Sequence, residues 1–229
     1  MALILNIESS TNICSVCLAK DGEVITYKEN DEANVHSSLL SVFIEQLFNN
    51  TSYKFDDVEA IGISKGPGSY TGLRIGVSVA KGIAYGLNVP LLGISTLQHM
   101  TVGAQEITGN DEALYAPMLD ARRMEVYTAI LNKEQEYVMN PTSIIVDKDL
   151  FCNYRKENTI YLFGNGLVKS MDVLKDQYNL LFLSDYQISS IHMCTLAEYA
   201  FTNKQFESFA YFTPMYIKEF IPNRNKKGG

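Results

Sequence analysis

The stretch at residues 61–86, IGISKGPGSYTGLRIGVSVAKGIAYG, gives the clearest indication of how this chain of 229 residues folds. It opens with an apolar run that is typical of a buried strand. The GPG at positions 66–68 predicts a turn, because proline fixes φ and glycine tolerates a positive φ. A helix is then expected from Ser69, whose hydroxyl can cap free N–H groups, to Tyr85, with Gly86 as its C-terminal cap.

Small residues recur every four positions along this predicted helix and therefore share one face. A glycine inside a helix costs about 1 kcal/mol relative to alanine, so a close backbone approach is expected to offset that cost. The small-residue stripe consists of Gly72, Gly76, Ala80 and Ala84, and it is flanked by Leu73 and Val77 and by Ile75, Val79 and Ile83.

Two arrangements of this helix are open. In the first, Ile75, Val79 and Ile83 pack on the chain's own sheet, and the small-residue stripe faces outward as a protein–protein contact site. In the second, the stripe packs this helix against the preceding helix inside the chain.

The stretch resembles the signature of the TsaB (YeaZ) family, bacterial subunits of tRNA threonylcarbamoyladenosine biosynthesis. The resemblance extends over most of the chain and is weaker after about residue 135. It implies an α/β, duplicated actin-like ATPase (ribonuclease H-like) fold, with mixed sheets flanked by helices and a reduced second half. It also implies a relationship to TsaD, the subunit that performs the chemistry.

The chain is acidic, with a formal net charge of −7. A protein that binds RNA unaided normally shows a basic excess or patch, so we expect a partner to supply the phosphate contacts. A cationic cluster of Arg224, Lys226 and Lys227 lies in the polar tail 216–229, which we expect to be flexible. No apolar run approaches the roughly 20 residues that span a bilayer, and the N-terminus lacks the pattern of a signal peptide. We therefore expect a cytoplasmic protein without membrane contacts.

The four cysteines include one CxxC pair, Cys14 and Cys17, a spacing that also occurs in zinc and redox sites. The surrounding sequence is typical of a strand, on which residues three apart point to opposite faces. Two thiols in that geometry cannot hold one metal, and Cys152 and Cys194 offer no second pair. We interpret the CxxC as buried structural thiols.

The first strand is predicted to end in an acid followed by a polar turn. Actin-like ATPases, by the resemblance, begin in this way, with a phosphate loop between the first two strands. Here the acid is Glu8, where the family usually has aspartate, and Ser9, Ser10 and Thr11 form the turn. These residues are candidates for contact with a hydrated magnesium ion or a nucleotide. A turn capped by its own hydroxyls is the alternative.

The glycines at Gly66 and Gly68 are further candidates, because a strand–glycine–helix turn can bind an anion at the helix N-terminus. The turn matches neither GxxxxGK(S/T) nor GxGxxG, and Pro67 removes one backbone donor. Tight turning and close helix packing explain the same glycines without a ligand.

A further feature is the segment after the predicted strand at 91–94. In TsaD, by the resemblance, an HxxxH helix here places two metal ligands on one face. His99 matches the first position, but Gly103 occupies the second, and the three histidines His36, His99 and His192 are scattered along the sequence. We expect this chain to hold no catalytic metal and to carry no catalytic residues.

The second half of the chain repeats the pattern of the first. Strands at 115–120 and 125–131 flank a short turn that follows an acid, and a strand at 160–163 leads through GNG into a helix at 167–175. This internal duplication supports an actin-like fold apart from the resemblance.

We expect an N-terminal subdomain at 1–105, a smaller C-terminal subdomain at 106–215 and the tail at 216–229. A last helix is predicted at 193–201 and a strand-like segment at 211–217.

The resemblance implies a non-catalytic scaffold subunit that binds a TsaD-like catalytic subunit and works with a TsaE-like ATPase. ATP and a metal ion are expected in those partners, tRNA only through the complex, and a homodimer in isolation. The alternative is a small ATP-binding phosphotransferase-like or glycoprotease-like enzyme. An amphipathic helix at 35–48 would share the interface. The expected interface residues are His36, Leu39, Leu40, Phe43, Leu47, Tyr70, Gly72, Leu73, Gly76, Val77, Ala80 and Ala84.

Overall fold

Two five-stranded sheets with the same strand order form the framework of the chain. The computed structural model describes residues 2–30 and 36–218, without the side chains of residues 36–38. The strands of the first sheet are β1 (Leu3–Glu8), β2 (Cys14–Lys20), β3 (Glu23–Asn30), β4 (Ala60–Gly66) and β5 (Leu91–Ser95). They lie in the order β3-β2-β1-β4-β5, with β1, β4 and β5 parallel and β2 antiparallel to both of its neighbours.

The second sheet repeats this topology. Its strands are β6 (Leu114–Asp120), β7 (Glu125–Leu131), β8 (Tyr137–Ile145), β9 (Ile160–Phe163) and β10 (Leu180–Leu183). They lie in the order β8-β7-β6-β9-β10, and each pairing has the direction of its counterpart in the first sheet. The predicted duplication is confirmed. The edge strands β8 and β10, which the sequence pattern did not predict, complete the second copy.

Five helices cover the sheets in the described residues. They are α1 (His36–Asn49), α2 (Tyr70–Leu87), α3 (Thr96–Thr108), α4 (Met171–Leu174) and α5 (Cys194–Thr202). The second half has one-turn α4 where the first has the 18-residue α2.

The connection between the halves differs from the predicted division. The predicted boundary after residue 105 falls inside α3, which packs on strands of both sheets. The last helix, α5, packs back on β1 and β5. The range 106–215 therefore contains the whole second sheet and also a helix that belongs to the first.

The ends of α2 match the sequence prediction at one side only. Ser69 caps the N-terminus, and its Oγ accepts a hydrogen bond from the Gly72 N–H at 3.2 Å. The predicted cap at Gly86 is wrong, because the helix continues to Leu87 and Asn88 adopts the left-handed conformation with φ of 54°. Asparagine is among the few residues besides glycine that occupy this region at low cost.

The small-residue stripe of α2 faces the interior. A Cβ on Gly72 would lie 2.2 Å from the carbonyl oxygen of Ser9, and a Cβ on Gly76 would lie 2.1 Å from the Ser9 Oγ. Ala80 and Ala84 are fully buried. The arrangement with an outward stripe is therefore wrong. The stripe packs inside the chain, and its close neighbour at the glycines is the turn after β1.

The segment predicted as a strand-like tail at 211–217 forms no strand as far as Lys218, the last described residue. It crosses instead from one half of the chain to the other. Phe212 is buried in the core of the first sheet, and the Met215 N–H donates to the Lys65 carbonyl at 2.6 Å. Lys218 then pairs with Glu125 at the start of β7.

The cysteines of the CxxC pair are both fully buried in β2 and belong to different apolar clusters, as expected for opposite faces of a strand. Burial and the charge of Glu8 raise the pKa of Cys14 to about 11. The Cys17 Sγ lies 3.5 Å from the Sγ of Cys194, a pairing that their distance in sequence conceals. A hydrogen bond with Cys194 and burial raise the pKa of Cys17.

We predict opposite effects for two glycine-to-alanine changes in α2. Gly72→Ala should lower the free energy of unfolding by about 1–3 kcal/mol, since the new methyl group meets the backbone of Ser9. Gly82→Ala is the control, because a Cβ there meets no atom within 4 Å, and it should gain up to about 1 kcal/mol. Urea denaturation measures both. Equal effects at the two positions would contradict the inward orientation of the stripe.

Candidate functional site

The turn after β1 lies directly against the N-terminus of α2, so the structure brings the candidate ligand residues together. The Ser10 carbonyl accepts from the Ser69 N–H at 2.6 Å. The Ser9 N–H lies 3.3 Å from the Ser64 Oγ at the end of β4. The Ser9 hydroxyl donates to the Gly72 carbonyl at 3.0 Å. The turn is thus fixed by bonds to its own chain.

Glycine is required for a different geometric reason at each of two positions, Gly66 and Gly68, in the turn before α2. Gly66 has φ of 106°, a conformation that residues with a Cβ rarely adopt. A Cβ on Gly68 would lie 2.4 Å from the Ser10 carbonyl oxygen. Thr11 hydrogen-bonds through its Oγ1 to the Ile13 N–H at 3.1 Å, which is the self-capped turn considered from the sequence. Tight turning and close packing therefore account for these residues.

Glu8 forms a buried pair with His99. The Glu8 Oε2 lies 2.6 Å from the His99 Nε2, and both side chains are fully buried. The other carboxylate oxygen accepts from the Ser10 N–H at 2.5 Å. Burial alone would raise the pKa of Glu8, but the charge of His99 and the hydrogen bonds from His99 and Ser10 outweigh it and lower the pKa. The acid that closes β1 therefore lies directly against the chain's own imidazole.

His192 lies beside this pair, so the view of the histidines as scattered is wrong for two of the three. A Cβ on Gly103 would lie 2.6–2.9 Å from ring atoms of His192. The His192 ring therefore packs against α3 at Gly103, one helical turn after His99. The His192 Nδ1 lies 3.1 Å from a carboxylate oxygen of Glu106. Burial lowers the pKa of His192, with Glu106 acting in the opposite direction. The sequence contains no local signal for this approach, because His192 lies in a short 3-10 helix (Ser190–Met193) far along the chain from Gly103.

Tyr186 completes the buried group. Its ring packs against Phe163 with the centroids 4.9 Å apart, and against His192 at 6.5 Å. Burial, together with the charges of Glu8 and Glu106, raises the pKa of Tyr186 well above its usual value. Sequence reasoning missed this residue as well. In the ranges 2–30 and 36–218, His, Cys, Asp and Glu side chains do not gather in groups of three placed to hold a metal ion.

The second sheet has its own version of the acid at the end of the first strand. Asp120 closes β6 as Glu8 closes β1, but its side chain is 49 % exposed and pairs with Lys169. The Lys169 Nζ also donates to the Glu125 carbonyl at 2.6 Å, across the base of the hairpin between β6 and β7. The duplicated position thus keeps an acid beside a basic side chain in both halves, with histidine in the buried copy and lysine in the exposed one.

Comparison with known proteins shows which proteins this chain resembles. The model of the tRNA N6-adenosine threonylcarbamoyltransferase (TsaD) family matches residues 30–224. The tRNA threonylcarbamoyladenosine biosynthesis protein TsaB of Bacillus subtilis is 34 % identical over 180 residues, which cover 76 % of this chain and 75 % of that protein. The chain belongs to the TsaB family.

The same family includes the TsaB protein of Escherichia coli, which is 35 % identical over 132 residues. That match covers 58 % of this chain and 56 % of the E. coli protein, so the chain spans little more than half the length of this relative. The crystal structure of a Pseudomonas aeruginosa protein with similarity to peptidase YEAZ superposes on this chain with a TM-score of 0.83 at 21 % sequence identity. The superposition covers 95 % of this chain and all of that chain. The predicted duplicated actin-like α/β fold is confirmed.

The residues expected at the partner interface of this TsaB-family chain fall into two groups. Most of them lie in its own core, where they cannot contact another protein without unfolding: Leu40, Leu47, Gly72, Leu73, Gly76, Val77, Ala80 and Ala84. Leu39, Phe43 and Tyr70 are partly exposed. The side chain of His36 lies outside the described residues. Helical periodicity had defined the faces of α2 correctly but not which of them is inward.

The outer face of α1 and α2 is formed by other apolar side chains. Val42 is 41 % exposed on α1, and Ile75, Val79 and Ile83 are partly exposed along α2. We refer to these four residues, with Leu39 and Phe43, as the outer helix face. Among the described residues, no helix is both long enough and apolar enough to cross a membrane.

The buried pair generates a prediction on stability and pH. Glu8→Gln should lower the free energy of unfolding at pH 7 by about 3 kcal/mol, because it leaves a buried imidazole without its ionised partner. A lowered pKa contributes stability above the ordinary value of 4.5, and this contribution is lost as the pH falls below it. The difference between the two proteins should therefore narrow in acid.

Asp120→Asn is the matched control, since the exposed pair with Lys169 should contribute less than about 1 kcal/mol. Chemical denaturation between pH 3 and 7 measures all three proteins. A difference for Glu8→Gln that is small at pH 7, or constant across the range, would contradict this account of the pair.

Proposed function

We propose that this TsaB-family chain is a cytoplasmic, non-catalytic scaffold subunit in the bacterial complex that installs threonylcarbamoyl on the adenosine next to the tRNA anticodon. It binds a TsaD-like, metal-bearing catalytic subunit, and a TsaE-like ATPase acts on the pair. ATP and the metal ion are bound by those partners. The relatives' names, which assign them to tRNA threonylcarbamoyladenosine biosynthesis, support the pathway.

The observation that supports the non-catalytic role is that both carboxylate oxygens of Glu8 already contact groups of the chain itself. In the resemblance, the acid at this strand end approaches a hydrated magnesium ion. Here one carboxylate oxygen lies against His99 and the other accepts from Ser10, at full burial. The turn that would hold a phosphate is bonded to Ser69 and Gly72 of α2. These groups favour a structural function over an ATP-driven one.

The outer helix face supports the choice of partner site. Four of its side chains, Phe43, Ile75, Val79 and Ile83, pack against the core of the first sheet and are also partly exposed. A surface helix normally needs only one apolar face, so apolar residues on a second face favour a protein contact. In the absence of the catalytic subunit, the same face on a second copy would form a two-fold homodimer.

We predict that Val79→Glu, on the outer helix face, weakens binding to the catalytic subunit at least about tenfold. A charged side chain there would have to be buried on association, which costs more than it gains without a partner charge. The melting temperature should fall only modestly, because Val79 packs against the core but is also partly exposed. Size-exclusion chromatography and isothermal titration with the TsaD-like subunit measure the effect.

Val168→Glu is the control for this experiment, since Val168 is 75 % exposed and lies in the second half. The control should bind as the wild type does. Unchanged affinity in the Val79 variant, with the fold intact, would rule out the outer helix face as the contact site. Unfolding of that variant would be detected separately by circular dichroism, and Val42→Glu, at an exposed position of α1, would then replace it.

The isolated chain is expected to hydrolyse neither ATP nor peptides and to leave tRNA unmodified. The physical reason is that Glu8 is already paired and that the turn after β1 is bonded to α2. Steady-state assays of the purified chain provide the measurement. Robust turnover that Glu8→Ala abolishes would instead favour the phosphotransferase-like or glycoprotease-like enzyme.

A further inference from the structure

The hairpin between β6 and β7 carries two adjacent, exposed arginines at its tip, Arg122 and Arg123. Among the residues that the structure describes, neither guanidinium pairs with a carboxylate. The chain as a whole carries a formal net charge of −7. The two cations therefore form a local positive site on an otherwise acidic protein.

The acids at the base of the hairpin do not neutralise this tip. Asp120 pairs with Lys169, and Glu125 pairs with Lys218. The hydrogen bond and charge of Lys218, together with a bond from Ser143, lower the pKa of Glu125. Each acid is thus balanced by a lysine, and the charge of the arginines remains in excess.

The tip is also held in a fixed conformation. Arg122 and Arg123 have φ of 71° and 49°, in the left-handed region that costs a residue other than glycine about 1 kcal/mol. Bonds from the Ala121 N–H to the Glu125 carbonyl and from the Arg122 N–H to the Asp120 carboxylate maintain it, at 3.0 and 2.9 Å. A ligand at the tip would therefore meet a backbone that is already ordered.

We propose that Arg122 and Arg123 contact phosphate groups of tRNA when the chain is bound to its catalytic subunit, an inference that rests on the proposed function. A guanidinium presents a planar fork of donors that matches a phosphate group. An acidic protein repels RNA over most of its surface, so its contacts with RNA concentrate where the charge is locally positive. The hairpin supplies such a place without making the isolated chain an RNA-binding protein.

The test is the salt dependence of tRNA binding by the assembled two-subunit complex. Fluorescence anisotropy with an unmodified tRNA transcript, from 50 to 300 mM salt, compares the wild type with Arg122→Ala/Arg123→Ala. We expect the affinity at the lowest salt to fall about tenfold. The slope of log K against log salt should become shallower by about 1.5 to 2, corresponding to two lost phosphate contacts. Arg122→Lys/Arg123→Lys should restore the slope, since lysine also neutralises a phosphate.

A matched control removes two exposed cations elsewhere in the second half, Lys133→Ala/Lys156→Ala, and should leave both quantities unchanged. Wild-type affinity and slope in the arginine variant would overturn the proposal. Normal tRNA binding with weakened association to a protein subunit would overturn it as well, and would make the tip a protein contact.

The outcome also separates this inference from the proposed function. If the wild-type chain and the catalytic subunit do not associate, the proposed function fails. Because the proposed contact is made in the assembled complex, the hairpin proposal fails with it in that case. If the two subunits associate and the arginine variant keeps the wild-type affinity and slope, the hairpin proposal alone fails.

Discussion

The contact between the turn after β1 and the backbone of α2 determines which face of this helix is buried and which is exposed to solvent. Ser9 lies so close to Gly72 and Gly76 that a single methyl group at either position would overlap it. This approach accounts for the glycines inside a long helix, which otherwise cost about 1 kcal/mol each. It also turns the bulkier residues Ile75 and Val79 toward the outside. The same contact thus closes the turn and creates the outer helix face.

Much of the fold could be predicted from local patterns, because strand alternation, glycine turns and helical spacing are written in short windows. The strands at residues 125–131 and 160–163 have the bounds that the sequence indicated. The edge strand β8 was missed because its residues are partly exposed and include a polar segment with a proline. The edge strand β10 was missed because a run of four apolar residues is too short to be assigned to a strand by periodicity. The inward face of α2 could not be predicted from periodicity, because periodicity shows which residues share a face but not which face is buried.

The candidate site shows the same division between local and distant information. The acid Glu8 and the first histidine were identified from their positions in the sequence, but their pairing was not. Contacts of this kind join residues about ninety positions apart, and sequence spacing carries no distance between them. The approach of His192 to Gly103 is of the same type, because the glycine provides space that only the folded chain fills. Sequence reasoning treated that glycine as a missing ligand, whereas in the structure it accommodates a side chain.

The two halves of the chain have kept one topology and diverged in how they treat equivalent positions. Glu8 is buried with histidine and Asp120 is half exposed with lysine, so the first copy stabilises the interior while the second leaves a charged hairpin at the surface. The segment that ends at Lys218 connects these two regions, since Met215 bonds to Lys65 beside α2 and Lys218 pairs with Glu125 beside the hairpin. Under the proposed function, which assigns the nucleotide to a partner, the two strand ends of this duplicated fold need not converge on a ligand. Its two copies are then free to present different surfaces, one apolar and one cationic, at positions that the connecting segment keeps fixed.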